Sequence, residues 1–99
     1  MSSRIADIHR AVEHSEKCRA KHVTSVLVIE KRDGEEMFDG MVEVFDLEDH
    51  PQAKRAYAWQ RRTGKRPEDA EYKVVLGIPP VNSAEDAVKA AIVAIYRSL

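Results

Sequence analysis

The stretch His22-Val23-Thr24-Ser25-Val26-Leu27-Val28-Ile29, followed by Asp33-Gly34 and then by Phe38-Asp39-Gly40-Met41-Val42-Glu43-Val44, decides the fold. The first run is apolar and β-branched, the residue types that suit a pleated, half-buried surface. Asp33-Gly34 offers a type I′ turn, whose central residues need positive φ, a conformation glycine tolerates. Residues 22–46 therefore read as a β-hairpin. With Asp33 and Gly34 at the centre of the turn, Arg32 stands opposite Glu35. The register that follows sets Ile29 opposite Phe38, Leu27 opposite Gly40, Ser25 opposite Val42 and Val23 opposite Val44. One continuous apolar face results, so turn chemistry and hydrophobic pattern agree. The other face is mixed. It carries His22, Thr24, Val26, Val28 and Glu30 against Met37, Asp39, Met41, Glu43 and Phe45, with Val26 opposite Met41.

Outward from the hairpin, residues 3–19 predict an amphipathic helix with Ile5, Ile8 and Val12 on one face and Ala11 beside them. Ser2 or Ser3 caps its start, and Lys17, Arg19 and Lys21 gather at its end, where the helix dipole favours cations. Asp49-His50-Pro51 marks a turn. Residues 54–62 admit a helix, because Ala53, Ala56 and Ala58 favour one. The alternation of Tyr57 and Trp59 with alanine favours a strand, paired across the loop 63–70 with a second strand that carries Tyr72, Val74, Leu76 and Ile78. Pro79-Pro80 ends that strand, since proline cannot donate to the ladder. Residues 83–98 predict the last helix, with Ser83 and Asp86 as a capping box and a stripe of Val88, Ala91, Ile92, Ile95 and Leu99. The expectation is one α+β domain over residues 1–99: a four-stranded antiparallel meander between N- and C-terminal helices. Both helices are expected on the face of Val23, Leu27, Ile29, Phe38, Val42 and Val44, giving a two-layer sandwich.

At 43% hydrophobic and 33% charged, the composition belongs to globular rather than disordered chains. The formal charge of −1 supplies no global field toward nucleic acid or membrane. It conceals an acidic block, residues 33–49 with eight Asp and Glu and no Lys or Arg, joined to a basic block, residues 50–66 with six Lys and Arg and no Asp or Glu. Cys18 is the single cysteine, which excludes an intramolecular disulfide. With no signal-peptide pattern and no apolar run of about 20 residues, the expectation is a cytoplasmic protein without membrane contact. Its compactness suggests a bacterial one. The run Ala53-Lys54-Arg55-Ala56-Tyr57-Ala58-Trp59, with Pro79-Pro80-Val81, resembles small bacterial proteins of uncharacterised function. That resemblance implies one compact domain and no particular activity.

Three functional readings follow, in order. The first is a non-enzymatic protein-interaction or self-association module, expected as a homodimer, either through the sheet face away from the helices, with Val26, Val28, Met41 and Phe45 as its contact surface and Tyr57 or Trp59 as further candidates, or through an edge strand. The second is a nucleic-acid-binding module. Lys54, Arg55, Arg61, Arg62, Lys65 and Arg66 would neutralise phosphate, and Tyr57 and Trp59 would stack bases. Against it, aromatics are mostly buried, and the bases can pair across the sheet with Asp39, Glu43 and Asp46. The third is a small-ligand binder or enzyme with a pocket between sheet and helices. No phosphate loop, nucleophile elbow or HExxH pattern is present, so no catalytic residue and no cofactor is assigned. His50 beside Asp49 is a coincidence that any chain offers. His14, Cys18 and His22 recur every four residues and would suit zinc only on a continuous helix, so no metal is assigned either.

Overall fold

The computed structural model describes residues 3–97. Helix α1 (Ser3–Glu16) is followed by strands β1 (Ala20–Arg32), β2 (Glu35–Leu47), β3 (Arg55–Arg62) and β4 (Ala70–Leu76), then by helix α2 (Ala84–Arg97). The four strands form one antiparallel sheet in the order β1-β2-β3-β4. The architecture is the expected α+β meander with a helix at each end, and residues 55–62 are a strand. No helix among the described residues is long and apolar enough to cross a membrane.

Local signals place the helices. In α1, Ile8 and Val12 are fully buried four residues apart, on one face. The helix stops at Glu16 because Lys17 turns into the left-handed region at φ 54°. Of the two candidate caps, Ser2 lies outside the described residues. In α2, the Asp86 amide donates to Ser83 Oγ at 3.1 Å. The Asp86 carboxylate accepts from the Asn82 amide at 3.1 Å, so the box closes one residue earlier than in the usual pattern. Val88 and Ala91 are buried, joined by Ala84 and Ala87, whereas Ile95 is exposed. Ser98 and Leu99 lie outside the described residues.

The first hairpin turns where expected, with Asp33 and Gly34 both at positive φ (55° and 79°) and Arg32 opposite Glu35. The register does not continue as expected. Met37 is an extra residue on β2, so Glu30 rather than Ile29 faces Phe38. Ile29 then faces Asp39, Val28 faces Gly40, Leu27 faces Met41, Val26 faces Val42 and Ser25 faces Glu43. Val23 is a compensating extra residue on β1, so Thr24 takes Val44, and His22 opposite Phe45 restores the register set by the turn. Two β-bulges thus enclose a one-residue slip, and a one-residue slip exchanges faces. Val28 enters the core, while Leu27, Ile29 and Val23, expected inside, are exposed. The slip sets Val26 and Val28 on the same face as Val42 and Val44. It also makes Ser25 and Glu43 direct neighbours, and they hydrogen-bond.

The helices are also distributed differently from the expectation. Ile8 and Val12 of α1 pack with Phe45, Leu47, Ala53, Ala56 and Ala58. Ala84, Ala87, Val88 and Ala91 of α2 pack with Val28, Val42, Val44, Tyr57 and Trp59. Alternate residues of β2 and β3 belong to different clusters, and alternate residues point to opposite faces. One helix therefore lies on each side of the sheet, in place of two on one side. Residues 56–59 of β3 are all buried for this reason. The small Ala56 and Ala58 let α1 come close, and the larger Tyr57 and Trp59 fill the space beneath α2.

Candidate functional site

The residues singled out in the sequence separate in space. Of the expected contact set, Val28 lies under α2 and Phe45 under α1, both in the core. Val26 packs at the edge of the α2 cluster, and only Met41 is exposed. These four residues make no common surface, because the bulges moved Val26 and Met41 to opposite faces. Of the basic set, Tyr57 and Trp59 are core residues, with Phe38 edge-on to Trp59 at 5.4 Å. They offer no stacking platform. Lys54 and Arg55 sit at one end of β3, where Arg55 pairs with Asp46 at 3.0 Å. Arg61, Arg62, Lys65 and Arg66 are exposed at the other end. There Arg62 donates to the Arg66 carbonyl (3.2 Å), and Arg66 pairs with Glu68 and Asp69 at 3.5 and 3.6 Å.

His14, Cys18 and His22 do not share a helix, since α1 ends before Cys18 and His22 belongs to β1. Burial pushes the Cys18 thiol up, reinforced by Glu16, Glu13, Asp49 and Glu48, which disfavours the thiolate. No group of three or more His, Cys, Asp or Glu among the described residues is placed to hold a metal. His50 closes a loop. Its Nδ1 accepts from the Gln52 and Ala53 amides (3.1 and 3.0 Å), which leaves Nε2 to donate to Glu16 at 3.1 Å.

The polar centre of the molecule was not anticipated. Glu43, between Val42 and Val44, is the one charged side chain fully buried among the described residues. Its Oε2 accepts from Arg4 at 3.0 Å, and its Oε1 accepts from His22 Nε2 at 2.8 Å and from the Ser25 hydroxyl. Burial pushes the Glu43 carboxyl up. The hydrogen bonds from Ser25, His22 and Arg4, with the Arg4 charge, outweigh it and hold the group below its ordinary value. Phe45 forms the apolar wall beside this cluster, stacked on His9 at 5.7 Å and edge-on to His22 at 5.3 Å. Serine, histidine and glutamate meet here, but not as a nucleophilic relay. Both partners donate to the carboxylate, and no bond from histidine to serine readies the hydroxyl. The arrangement anchors α1 to the sheet. A lone carboxylate within the apolar run from Met41 to Phe45 is the signal that could have revealed it.

Two surface features remain. On the face that α1 covers further along, the arm of the first hairpin is bare. Leu27 (60% exposed) and Ile29 (52%) lie beside Met41 (37%), with Leu27 directly across from Met41. β1 is an outer strand, with a ladder on one side only. The second feature is a cleft of about 820 Å³ between β2 and β3, bounded by residues 37–41, 59–62 and 71–73, by Val88, Ala91, Ile92 and Ile95 of α2, and by Arg4. No family model, curated protein or solved structure matches this chain.

Proposed function

We propose that the chain is a non-enzymatic protein-interaction module that associates first with a second copy of itself, through the bare arm of the first hairpin. The observation that carries this reading is the group Leu27, Ile29 and Met41, three large apolar side chains held together in solvent by one ladder. Scattered exposed leucines are ordinary, whereas a contiguous apolar group beside an open strand edge is a contact surface in waiting. A second copy suits it because a twofold axis sets an apolar patch on itself and makes each contact twice. The Glu43 cluster supports a non-enzymatic reading, because its carboxylate is fully engaged and held ionised.

Light scattering at micromolar concentration tests it. The expected result is twice the chain mass at both low and high salt, since apolar contacts are not screened. Leu27→Glu with Ile29→Glu should return the monomer mass with an unchanged circular dichroism spectrum. A monomer mass for the natural sequence under all conditions would sink the proposal. Dissociation at high salt alone would transfer the contact to the acidic and basic blocks.

A further inference from the structure

The β2–β3 ladder is short for its strands. It runs from Asp46 opposite Arg55 to Glu43 opposite Ala58, four pairs in all. Beyond that point β2 continues to Glu35 and β3 to Arg62, yet residues 35–42 and 59–62 make no ladder pairs with one another. Beyond that point each strand is laddered on its outer side only, β2 to β1 and β3 to β4. The cleft described above is lined by both of these unladdered stretches, by residues 71–73 of β4 and by α2. A strand edge presents N–H and C=O groups in alternation, and an extended chain laid along it completes a ladder. A slot walled by two such edges offers a ladder on each side. At about 820 Å³ it falls within the range of ligand sites.

Charge selects the occupant. Arg4, Arg61, Arg62 and Lys73 line the cleft against Asp39 and Glu71. Arg4 and Arg62 each spend a donor within the chain, but a guanidinium has five. Arg61 and Lys73 make no ion pair among the described residues and are exposed. We propose that the cleft between β2 and β3 binds an extended, acidic peptide segment, which enters as an extra strand paired with the edges at residues 39–42 and 59–62. Because β2 and β3 are antiparallel, the guest runs parallel to one wall and antiparallel to the other. Its carboxylates reach Arg61, Arg62 and Lys73 at the rim. A polynucleotide fits less well. Tyr57 and Trp59 are buried, and a phosphodiester chain lacks the alternating donors and acceptors of a strand.

This site meets the bare hairpin arm at Met41, and its test uses a Leu27→Ser, Ile29→Ser variant, which removes the arm's apolar contact without adding charge, so that self-association does not enter. The isotopically labelled full chain is titrated with a blocked octapeptide alternating glutamate with valine and followed by NMR. Amides of residues 39–42 and 59–62 should shift and gain at least tenfold protection from exchange. Emission from Trp59, the sole tryptophan, should change with the same midpoint. Arg61→Glu with Arg62→Glu should weaken binding at least tenfold, and Arg61→Lys with Arg62→Lys should retain most of it. Spectra of the free variants confirm that they remain folded. Any one of three results overturns the proposal: no response at these amides, an equal response to the lysine-valine octapeptide, or an equal response to free glutamate. Displacement of the octapeptide by a stoichiometric oligothymidylate would assign the cleft to nucleic acid instead.

Discussion

The two halves of the sheet are built from similar residues and end differently. Where β2 and β3 are laddered, a helix lies on each face, and residues 56–59 are all buried. In the arm of the first hairpin, α2 covers one face and the other is bare, so Val28 is buried while its neighbours Leu27 and Ile29 stand in solvent. Apolar composition does not separate these regions. The second is, if anything, the more β-branched. What differs is whether a helix reaches the face. Burial in a two-sided sheet is decided by its cover, and a pattern of alternation reports that cover only after the register is fixed.

The boundary between the halves is the most sensitive place to break this comparison. Glu43 is the last β2 residue laddered to β3, and it holds α1 through Arg4 and the β1 arm through Ser25 and His22. Glu43→Ala leaves three donors without their acceptor. Breaking a buried charged network costs about 3–5 kcal/mol, and the part-exposed Arg4 and His22 put this case near 3. Urea denaturation measures it. The pH dependence has a definite sign. The Glu43 carboxyl is held below its unfolded value, so the unfolded chain binds its proton first as pH falls. Stability from this group is fully present above the ordinary carboxylate range and is lost as pH falls through that range toward the lowered folded value. Glu43→Gln should flatten that part of the acid profile, and an unchanged profile would show the network to be idle.

Next in size is a contrast between adjacent residues. The slipped register buries Val28 and exposes Leu27, whereas the register expected from the turn alone would reverse them. Val28→Ala removes two buried methyl groups and should cost about 2 kcal/mol. Leu27→Ala should stay within about 0.5 kcal/mol. Both are measured by urea denaturation at concentrations low enough to exclude self-association. A larger loss at Leu27 would restore the unslipped register and place the bulges at Met37 and Val23 in error.

This pair also marks how far the sequence was legible. Asp33-Gly34, Ser83 with Asp86, and the alternation of Tyr57 and Trp59 with alanine each act within a few residues. Each is found where local chemistry predicts. The bulges are not local. The turn favours one register at the tip, and the packing of Val42, Val44, Tyr57 and Trp59 beneath α2 favours another in the middle. Met37 and Val23 are where the two demands are reconciled. The sides taken by α1 and α2, and the point where the β2–β3 ladder stops, depend on the same long-range packing. The contact set Val26, Val28, Met41 and Phe45 therefore dissolved, and the cleft could not be foreseen.

The smallest effect concerns the feature most visible in the sequence, the acidic block followed by the basic one. Among the described residues a single ion pair joins them, Arg55 with Asp46, at 3.0 Å on adjacent strands. Both side chains are about half exposed, and exposed pairs contribute about 0–1 kcal/mol, less in salt. Asp46→Asn should therefore shift the urea midpoint by less than the Val28→Ala change, and the shift should vanish in about 1 M salt, where the Debye length falls to about 3 Å. A salt-resistant loss above about 1 kcal/mol would make the charge blocks a stabilising element of the covered half. The expected small loss leaves most of their charge free to face solvent or partners. The cations nearest the cleft, Arg61 and Arg62, are then available for the acidic segment proposed to bind there.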